Sequence, residues 1–135
     1  MIIFGASGDL TKRKLMPALY SLYREKRLTG EFSILGIGRT VYSDDNYRSY
    51  ILEELQQFVK SEEQDTALMA SFVSHLYYLP MDPAKEEGYP QLRQRLVELT
   101  NEVDPDNLLF YLATPPSLYG VVPLYLKAAG LNTPH

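Results

Sequence analysis

The chain has the length and composition of a single globular domain. Its 135 residues are 45% hydrophobic, which suffices for a packed core and excludes a natively disordered chain. The net charge of −4 comes from acidic and basic residues mixed along the sequence, so no broad surface for nucleic acid or a membrane is expected. Cysteine is absent, which excludes disulfides, thiolate nucleophiles and cysteine-bound metals. Since there is neither a signal-peptide pattern nor an apolar run of membrane length, we expect a cytoplasmic protein.

The first predicted elements are a short strand and a helix. Ile2–Phe4 is an apolar run of strand length, and a helix is expected to begin near Asp9 or Leu10. Thr29-Gly30 gives its stop signal. Helical spacing places one set of apolar residues on the buried face of this helix: Leu15, Ala18, Leu19 and Leu22.

Two further strands and two helices are predicted in the middle of the chain. The second strand covers Phe32–Ile37, and Ser43 caps a helix after it. A third helix is expected over 63–75, followed by a strand over Leu76–Leu79 that Pro80 closes. The residues that repeat at helical spacing on the buried side of the helix after Ser43 are Tyr47, Ile51, Leu55 and Phe58.

The last part of the chain predicts a helix, a strand and a final helix. A helix over 89–101 precedes Leu108–Ala113, a nearly all-apolar run that is typical of a strand buried on both faces of a parallel sheet. Ser117 is the expected cap of the last helix, Pro123 is expected to kink it, and Gly130 to end it.

The order of these elements, β-α-β-α-α-β-α-β-α, defines the predicted fold. Strands alternating with helices favour an α/β protein, a Rossmann-type doubly wound parallel sheet with helices on both faces. A further strand is expected where the sequence stops. We therefore expect a domain truncated after the fifth helical segment.

The turn between the first strand and the first helix carries the clearest chemical signal. Free backbone N–H groups and the positive end of a helix dipole at such a turn suit a pyrophosphate. Gly5 permits a tight turn there, and Gly8 lets a ligand approach the backbone. The spacing departs from G-x-G-x-x-G, and a Walker A loop fits it worse. The alternative is a plain turn followed by a solvated basic face at Lys12, Arg13 and Lys14.

Arg39 follows the second predicted strand, where NAD-specific folds place an acidic residue that binds the ribose hydroxyls. A guanidinium there matches a 2′-phosphate, whereas a carboxylate would repel it. Ser7 and Lys14 could add a hydroxyl and a cation nearby. The pattern favours NADP over NAD, although Arg39 could also be an ordinary surface arginine.

Three segments together resemble glucose-6-phosphate dehydrogenases: Gly5–Tyr20, Ile34–Arg39 and Leu109–Pro116. The resemblance covers essentially the whole chain and implies that residues 1–135 form the NADP-binding Rossmann domain, without the C-terminal substrate and dimerisation domain. Asp9 would both cap the helix and fix the loop. The coenzyme-binding residues that the resemblance implies are Gly5, Ala6, Ser7, Gly8, Asp9, Leu10, Thr11, Lys12, Lys14, Arg39, Asp82, Tyr111 and Ala113.

The resemblance also implies the reaction of the intact enzyme. That reaction is oxidation of D-glucose 6-phosphate to 6-phospho-D-glucono-1,5-lactone with reduction of NADP, the first step of the pentose phosphate pathway, carried out by a homo-oligomer. The family's catalytic histidine belongs to a later segment, so no residue of this chain is expected to be catalytic and none to bind a metal. His75 is predicted to be a packing residue. The chain alone should bind NADP without turnover.

Two alternatives to this interpretation differ in what the chain would do. A stand-alone nucleotide-binding or regulatory module would share the fold and lack a catalytic half. A sugar-nucleotide or short-chain oxidoreductase would need a Tyr-x-x-x-Lys pair, which has no suitable place in the sequence. The eleven tyrosines are mostly expected to pack, with Tyr111 as the exception.

Overall fold

The protein forms a four-stranded parallel sheet with helices on both faces. The computed structural model describes residues 1–8, 11–27, 32–100, 110–114 and 116–131. The strands are β1 (Ile2–Phe4), β2 (Ile34–Gly38), β3 (Leu76–Pro80) and β4 (Phe110–Leu112), in the spatial order β3-β2-β1-β4. The helices are α1 (Met16–Arg24), α2 (Asp44–Phe58), α3 (Thr66–Val73), α4 (Tyr89–Thr100) and α5 (Val121–Ala128). The predicted order of elements and the fold class are confirmed.

The two faces of the sheet have separate hydrophobic cores, because successive strand residues point to opposite sides. Ile3 lies in a core with residues of α1, α2 and α3, whereas Ile2 and Phe4 lie in a second core with residues of α4 and α5. The sheet is therefore doubly wound, as predicted. No helix in the described ranges is long and apolar enough to cross a membrane.

The entry into α1 differs from the regular helix that was predicted. Thr11–Leu15 form a π-helical turn, and the α-helix follows from Met16. Pro17 has no N–H to donate to the carbonyl four residues earlier, and its ring crowds that carbonyl, so a regular α-turn is disfavoured there. The wider turn shifts the helix faces. Consequently Ala18 is exposed, and the buried residues of α1 are Met16, Leu19 and Tyr20.

The end of α1 also differs from the prediction. The N–H of Arg27 donates to the carbonyl of Leu22, and the N–H of Lys26 to that of Tyr23. This is a Schellman motif, and Lys26 adopts the left-handed conformation that it requires, at φ 62°. The helix therefore ends at Arg24; the predicted stop at Thr29-Gly30 lies outside the described residues.

The predicted cap of α2 is confirmed, while α5 begins differently. The Ser43 side chain accepts a hydrogen bond from the N–H of Asn46 at 3.1 Å. Ser117 belongs to a short 3₁₀ segment, and Gly120 occupies the cap position of α5 without a side-chain hydrogen bond. Pro123 lies in the first turn, where its missing N–H breaks no helical hydrogen bond, so the predicted kink is wrong.

The fourth strand is less buried than its apolar sequence predicted. Tyr111 is 38% exposed, and Phe110 and Leu112 are only half-buried. Within the described part of the chain β4 is an edge strand, so one of its two edges has no neighbouring strand. The prediction of a strand buried on both faces is therefore wrong for residues 110–112.

Candidate functional site

A cleft of about 440 Å³ lies at the carboxyl ends of the four strands. In the sheet order, β2 and β3 extend from one side of β1 and β4 pairs on the other, so the direction of winding reverses between β1 and β4. Ligands of open α/β sheets bind at such a reversal. The cleft is lined by Gly5, Ser7, Gly8, Gly38, Arg39, Asp82, Pro83, Ala84, Ala113, Thr114, Ser117 and Leu118.

Gly5 joins the two halves of the cleft in a conformation that requires glycine. Its φ is +87°, and a Cβ atom would lie 2.3 Å from the backbone oxygen of Ala113 at the end of β4. The Gly5 carbonyl accepts the N–H of Gly8 at 3.0 Å and the Thr11 hydroxyl at 2.9 Å. These contacts wind the loop into a tight turn, as predicted for Gly5.

The backbone amides of the loop are less available than the sequence suggested. The N–H groups of Gly5 and Ala6 both donate to the carbonyl of Ile37, at 2.8 and 3.0 Å, and that of Gly8 donates to Gly5. Among the described loop residues, the N–H of Ser7 has no backbone acceptor. The expectation of a row of free amides is therefore wrong for residues 5, 6 and 8, because β2 and the turn itself take their hydrogen bonds.

Gly8 faces open space, which fits its predicted role beside a ligand. Among the described residues, a Cβ atom at Gly8 would meet only the carbonyl oxygen of Gly5, at 3.2 Å, and no side chain. Gly38, by contrast, is closely surrounded by protein atoms. The cleft in front of Gly8 can therefore admit a polar group close to the backbone.

Arg39 provides the cation of the cleft. It follows β2 directly and is exposed, and within the described ranges its side chain makes no ion pair or hydrogen bond. Other arginines are engaged with protein groups: Arg48 donates to the carbonyl of Leu76, and Arg93 to that of Ala129. The Arg39 guanidinium thus has its donors available for an anionic ligand.

Asp82 lines the cleft but also stabilises its own turn. One carboxylate oxygen accepts the N–H of Ala84 at 2.9 Å, and the backbone carbonyl accepts the N–H of Lys85 at 3.1 Å. The turn after β3 is therefore fixed by its own hydrogen bonds, at the end of the strand next to β2. Within the described residues no group of three potential ligands could hold a metal ion.

Several predicted site residues lie away from the cleft. Ala6 is buried under Gly36, and the Thr11 side chain is buried behind the turn. The Lys12 ammonium lies 3.8 Å from the Glu54 carboxylate, on the side of α2. Lys14 is exposed on the π-helical turn. Asp9 and Leu10 lie outside the described residues.

The two predicted site residues on and after β4 also differ in position, since one lies at the cleft and the other does not. Tyr111 pairs in register with Ile3, whose side chain points to the face of α1 to α3, and Tyr111 does not line the cleft. Ala113 does line it. Of the thirteen predicted coenzyme residues, those found at the cleft are Gly5, Ser7, Gly8, Arg39, Asp82 and Ala113.

Two tyrosines that were expected only to pack also hold the loops of the site. The Tyr47 hydroxyl donates to the carbonyl of Ala6 at 3.0 Å, and that of Tyr78 donates to the carbonyl of Thr40 at 2.6 Å. Their helical and strand spacing predicted burial, but nothing in the sequence marks which carbonyl a hydroxyl reaches. Thr114, Ser117 and Leu118 were also missed, although their position after a strand could have indicated them.

A parallel sheet that reverses beside a glycine turn, with a cleft at its carboxyl ends, defines a nucleotide-binding domain of the Rossmann type. The chain also matches one family of known proteins over nearly its whole length. The chain belongs to the family described as "Glucose-6-phosphate dehydrogenase, NAD binding domain", which matches residues 2–135. The resemblance noted in the sequence is confirmed, and a nicotinamide dinucleotide is the coenzyme of this family.

Individual relatives agree with this assignment. The chain is 46% identical over 133 residues to a glucose-6-phosphate 1-dehydrogenase of Aggregatibacter actinomycetemcomitans, covering 98% of the chain and 26% of the relative. It is 36% identical over 135 residues to that of Bacillus subtilis (strain 168), with coverage of 98% and 26%. The chain thus spans about a quarter of the length of the curated relatives it matches.

Solved structures of the same family share the fold. A crystal structure of glucose-6-phosphate 1-dehydrogenase from Mycobacterium avium superimposes with a TM-score of 0.81 at 28% identity, covering 96% of this chain and 26% of that one. A glucose-6-phosphate dehydrogenase in complex with its substrate glucose-6-phosphate gives a TM-score of 0.78 at 35% identity, covering 95% and 26%.

Proposed function

We propose that residues 1–135 form the coenzyme-binding domain of a glucose-6-phosphate dehydrogenase and that the coenzyme is NADP. The intact enzyme oxidises D-glucose 6-phosphate to 6-phospho-D-glucono-1,5-lactone, the first step of the pentose phosphate pathway, as a homo-oligomer in the cytoplasm. Family membership supports the reaction, and the cysteine-free sequence is compatible with a reducing compartment.

The observation that carries the choice of NADP is the position of Arg39 in the cleft. It stands at the carboxyl end of β2 without an ion pair in the described part of the chain, where an NAD-specific site would present a carboxylate. Asp82, the acidic residue among the described lining residues, already accepts a hydrogen bond from its own turn. A doubly charged 2′-phosphate therefore meets a free cation with several donors.

The residues present fit a dinucleotide. The cleft volume of about 440 Å³ is within the range of small-molecule sites, and Gly8 leaves its backbone open to a phosphate. The bound coenzyme would supply the hydride acceptor. The chain would hold it through Ser7, Gly8 and Arg39 on one wall of the cleft and Ala113 on the other.

We expect this chain to bind the coenzyme without turnover. A general base must reach the sugar hydroxyl and exchange a proton near neutral pH, which histidine does most readily. His75 instead stacks on the Phe32 ring at 4.2 Å between centroids, and its Nδ1 lies 3.0 Å from the Phe32 carbonyl oxygen. It is a packing residue directly before β3, at the amino end of that strand, whereas the cleft lies at the carboxyl ends of the strands.

Titration of the chain with NADP and with NAD, followed by calorimetry, tests the proposed coenzyme. Arg39→Ala should weaken NADP binding by about 1.5–3 kcal/mol and NAD binding much less, because only NADP carries the phosphate that the guanidinium meets. Arg27→Ala is a matched control, since Arg27 is exposed beyond the far end of α1 and pairs with Glu25. Equal losses for both coenzymes in Arg39→Ala would refute the phosphate assignment.

Gly8→Val tests the position of the pyrophosphate. The added side chain would project into the open space in front of the loop, so both coenzymes should bind at least about tenfold more weakly. If both bind as tightly as before, the pyrophosphate does not lie at this loop.

A further inference from the structure

The Tyr78 hydroxyl lies at the meeting point of two loops that line the cleft. It donates a hydrogen bond to the backbone oxygen of Thr40 at 2.6 Å, in the segment after β2. Its oxygen and Oγ of Ser7, in the loop after β1, both lie against Gly38. One hydroxyl on β3 thus holds the segment after β2 and lies beside the loop after β1.

Gly38 shows how closely these groups converge. A Cβ atom on Gly38 would lie 2.6 Å from the Tyr78 hydroxyl oxygen and 2.7 Å from Oγ of Ser7. The last residue of β2 must therefore be glycine for Ser7 and Tyr78 to meet above it. Arg39 is the next residue. It therefore lies between Gly38, which is packed against Ser7 and Tyr78, and Thr40, whose carbonyl accepts the Tyr78 hydroxyl.

The ring of Tyr78 is held as firmly as its hydroxyl. It stacks on Tyr47 with centroids 4.7 Å apart and meets Tyr42 edge-on at 5.4 Å. Only 4% of the residue is exposed. Burial raises the pKa of Tyr78 above its ordinary value, so the hydroxyl keeps its proton and remains a donor at neutral pH.

We propose that Tyr78 is a positioning residue for coenzyme choice: its hydroxyl holds the carbonyl of Thr40 beside the Ser7 side chain and so fixes Arg39 on the same wall of the cleft as Ser7. The inference rests on the proposed function, since it concerns the group that distinguishes NADP from NAD. Without the hydrogen bond from Tyr78, the carbonyl of Thr40 loses its donor. The exposed residues 39 and 40 then gain conformational freedom, which is lost again when a 2′-phosphate binds and which weakens that binding.

Tyr78→Phe removes the hydroxyl and keeps the buried ring. We expect NADP to bind about three- to tenfold more weakly, the effect of one hydrogen bond, and NAD to change by less than about twofold. Tyr20→Phe is the matched control. The Tyr20 hydroxyl also donates to a backbone carbonyl, that of Glu63 at 2.9 Å, and accepts one donor, the N–H of Asp65 at 3.3 Å.

The measurements are calorimetric titrations with NADP and NAD and a thermal melt of each variant. Both variants should lower the melting temperature to a similar extent, but only Tyr78→Phe should lower the ratio of NADP to NAD affinity. An unchanged ratio in Tyr78→Phe, whatever its melting temperature, would assign Tyr78 to packing alone and overturn the proposal.

A wrong coenzyme assignment would give a different experimental result from a wrong inference about Tyr78. If the unaltered chain binds NAD as tightly as NADP, the coenzyme assignment fails before any variant is made, and the role of Tyr78 in coenzyme choice falls with it. If the unaltered chain prefers NADP and Tyr78→Phe retains that preference, only the inference about Tyr78 is wrong.

Discussion

The strands on the two sides of β1 have the same pairing and very different burial. Ile2, Ile3 and Phe4 pair in parallel with residues 35–37 of β2 on one side and with residues 110–112 of β4 on the other. Every residue of β2 is buried, whereas β4 is half-buried with Tyr111 exposed. Both sequences are apolar. The difference therefore arises from position, since β2 lies between two strands and β4 ends the sheet within the described ranges.

Because of this difference in burial, the two walls of the cleft are held in place by different contacts. The wall after β2 rests on a fully buried strand and on the Tyr78 hydroxyl, which holds the carbonyl of Thr40. The wall after β4 rests on the sheet edge. Gly5 is the point where they touch, and it contacts the end of β4 through Ala113. Substitutions at Gly5 and along the two strands test how far this difference extends.

Gly5→Ala should have the largest effect on stability. A left-handed φ is unfavourable for alanine, and its Cβ would lie 2.3 Å from the backbone oxygen of Ala113, which no side-chain rotation relieves. We expect the free energy of unfolding to fall by about 4 kcal/mol or more, enough to unfold a domain of ordinary stability. Urea denaturation followed by circular dichroism measures it.

Gly8→Ala is the matched control in the same loop. Its Cβ would meet one oxygen at 3.2 Å and its φ is not left-handed, so the free energy of unfolding should change by no more than about 1 kcal/mol. A Gly5→Ala variant as stable as Gly8→Ala would mean that the β1 loop and the end of β4 do not press on each other.

Local sequence signals were sufficient for the order of elements and for the glycine turn. The Ser43 cap, the parallel sheet and the position of Arg39 at the end of β2 all followed from short patterns. These features depend on residues near one another in the chain, where spacing fixes geometry. The cleft itself follows from the strand order, because the carboxyl ends of parallel strands share one edge.

The errors come from contacts between distant segments. An apolar strand sequence does not reveal whether a neighbour covers it, so β4 was predicted to be buried. The Lys12 side chain lies beside Glu54, 42 positions along the chain, on another helix, a contact that the sequence did not indicate. The hydroxyls of Tyr47 and Tyr78 were hidden for the same reason, since their acceptors belong to other loops.

Leu35→Ala and Leu112→Ala compare the two strands directly. Both side chains belong to the core on the face of α4 and α5, but Leu35 is 1% exposed in β2 and Leu112 is half-buried in β4. Leu35→Ala should lower the free energy of unfolding by roughly 2–4 kcal/mol and Leu112→Ala by about half as much or less. Equal losses in urea titrations would show that β4 is as well covered as β2.

The smallest expected effect concerns two threonines that lie on opposite sides of Gly5. The Thr11 hydroxyl is buried and donates to the Gly5 carbonyl, whereas the buried hydroxyl oxygen of Thr114, after β4, has no hydrogen-bond partner among the described residues. Valine has the same shape and no hydroxyl, so Thr114→Val should raise the free energy of unfolding by about 1 kcal/mol and Thr11→Val should lower it by a similar amount. Thermal melts of the two variants compare them. The two variants should therefore change the free energy of unfolding in opposite directions, because the Thr11 hydroxyl has an acceptor and the Thr114 hydroxyl has none among the described residues. A destabilised Thr114→Val would mean that the Thr114 hydroxyl has a partner and that polar groups are satisfied equally well at both threonines.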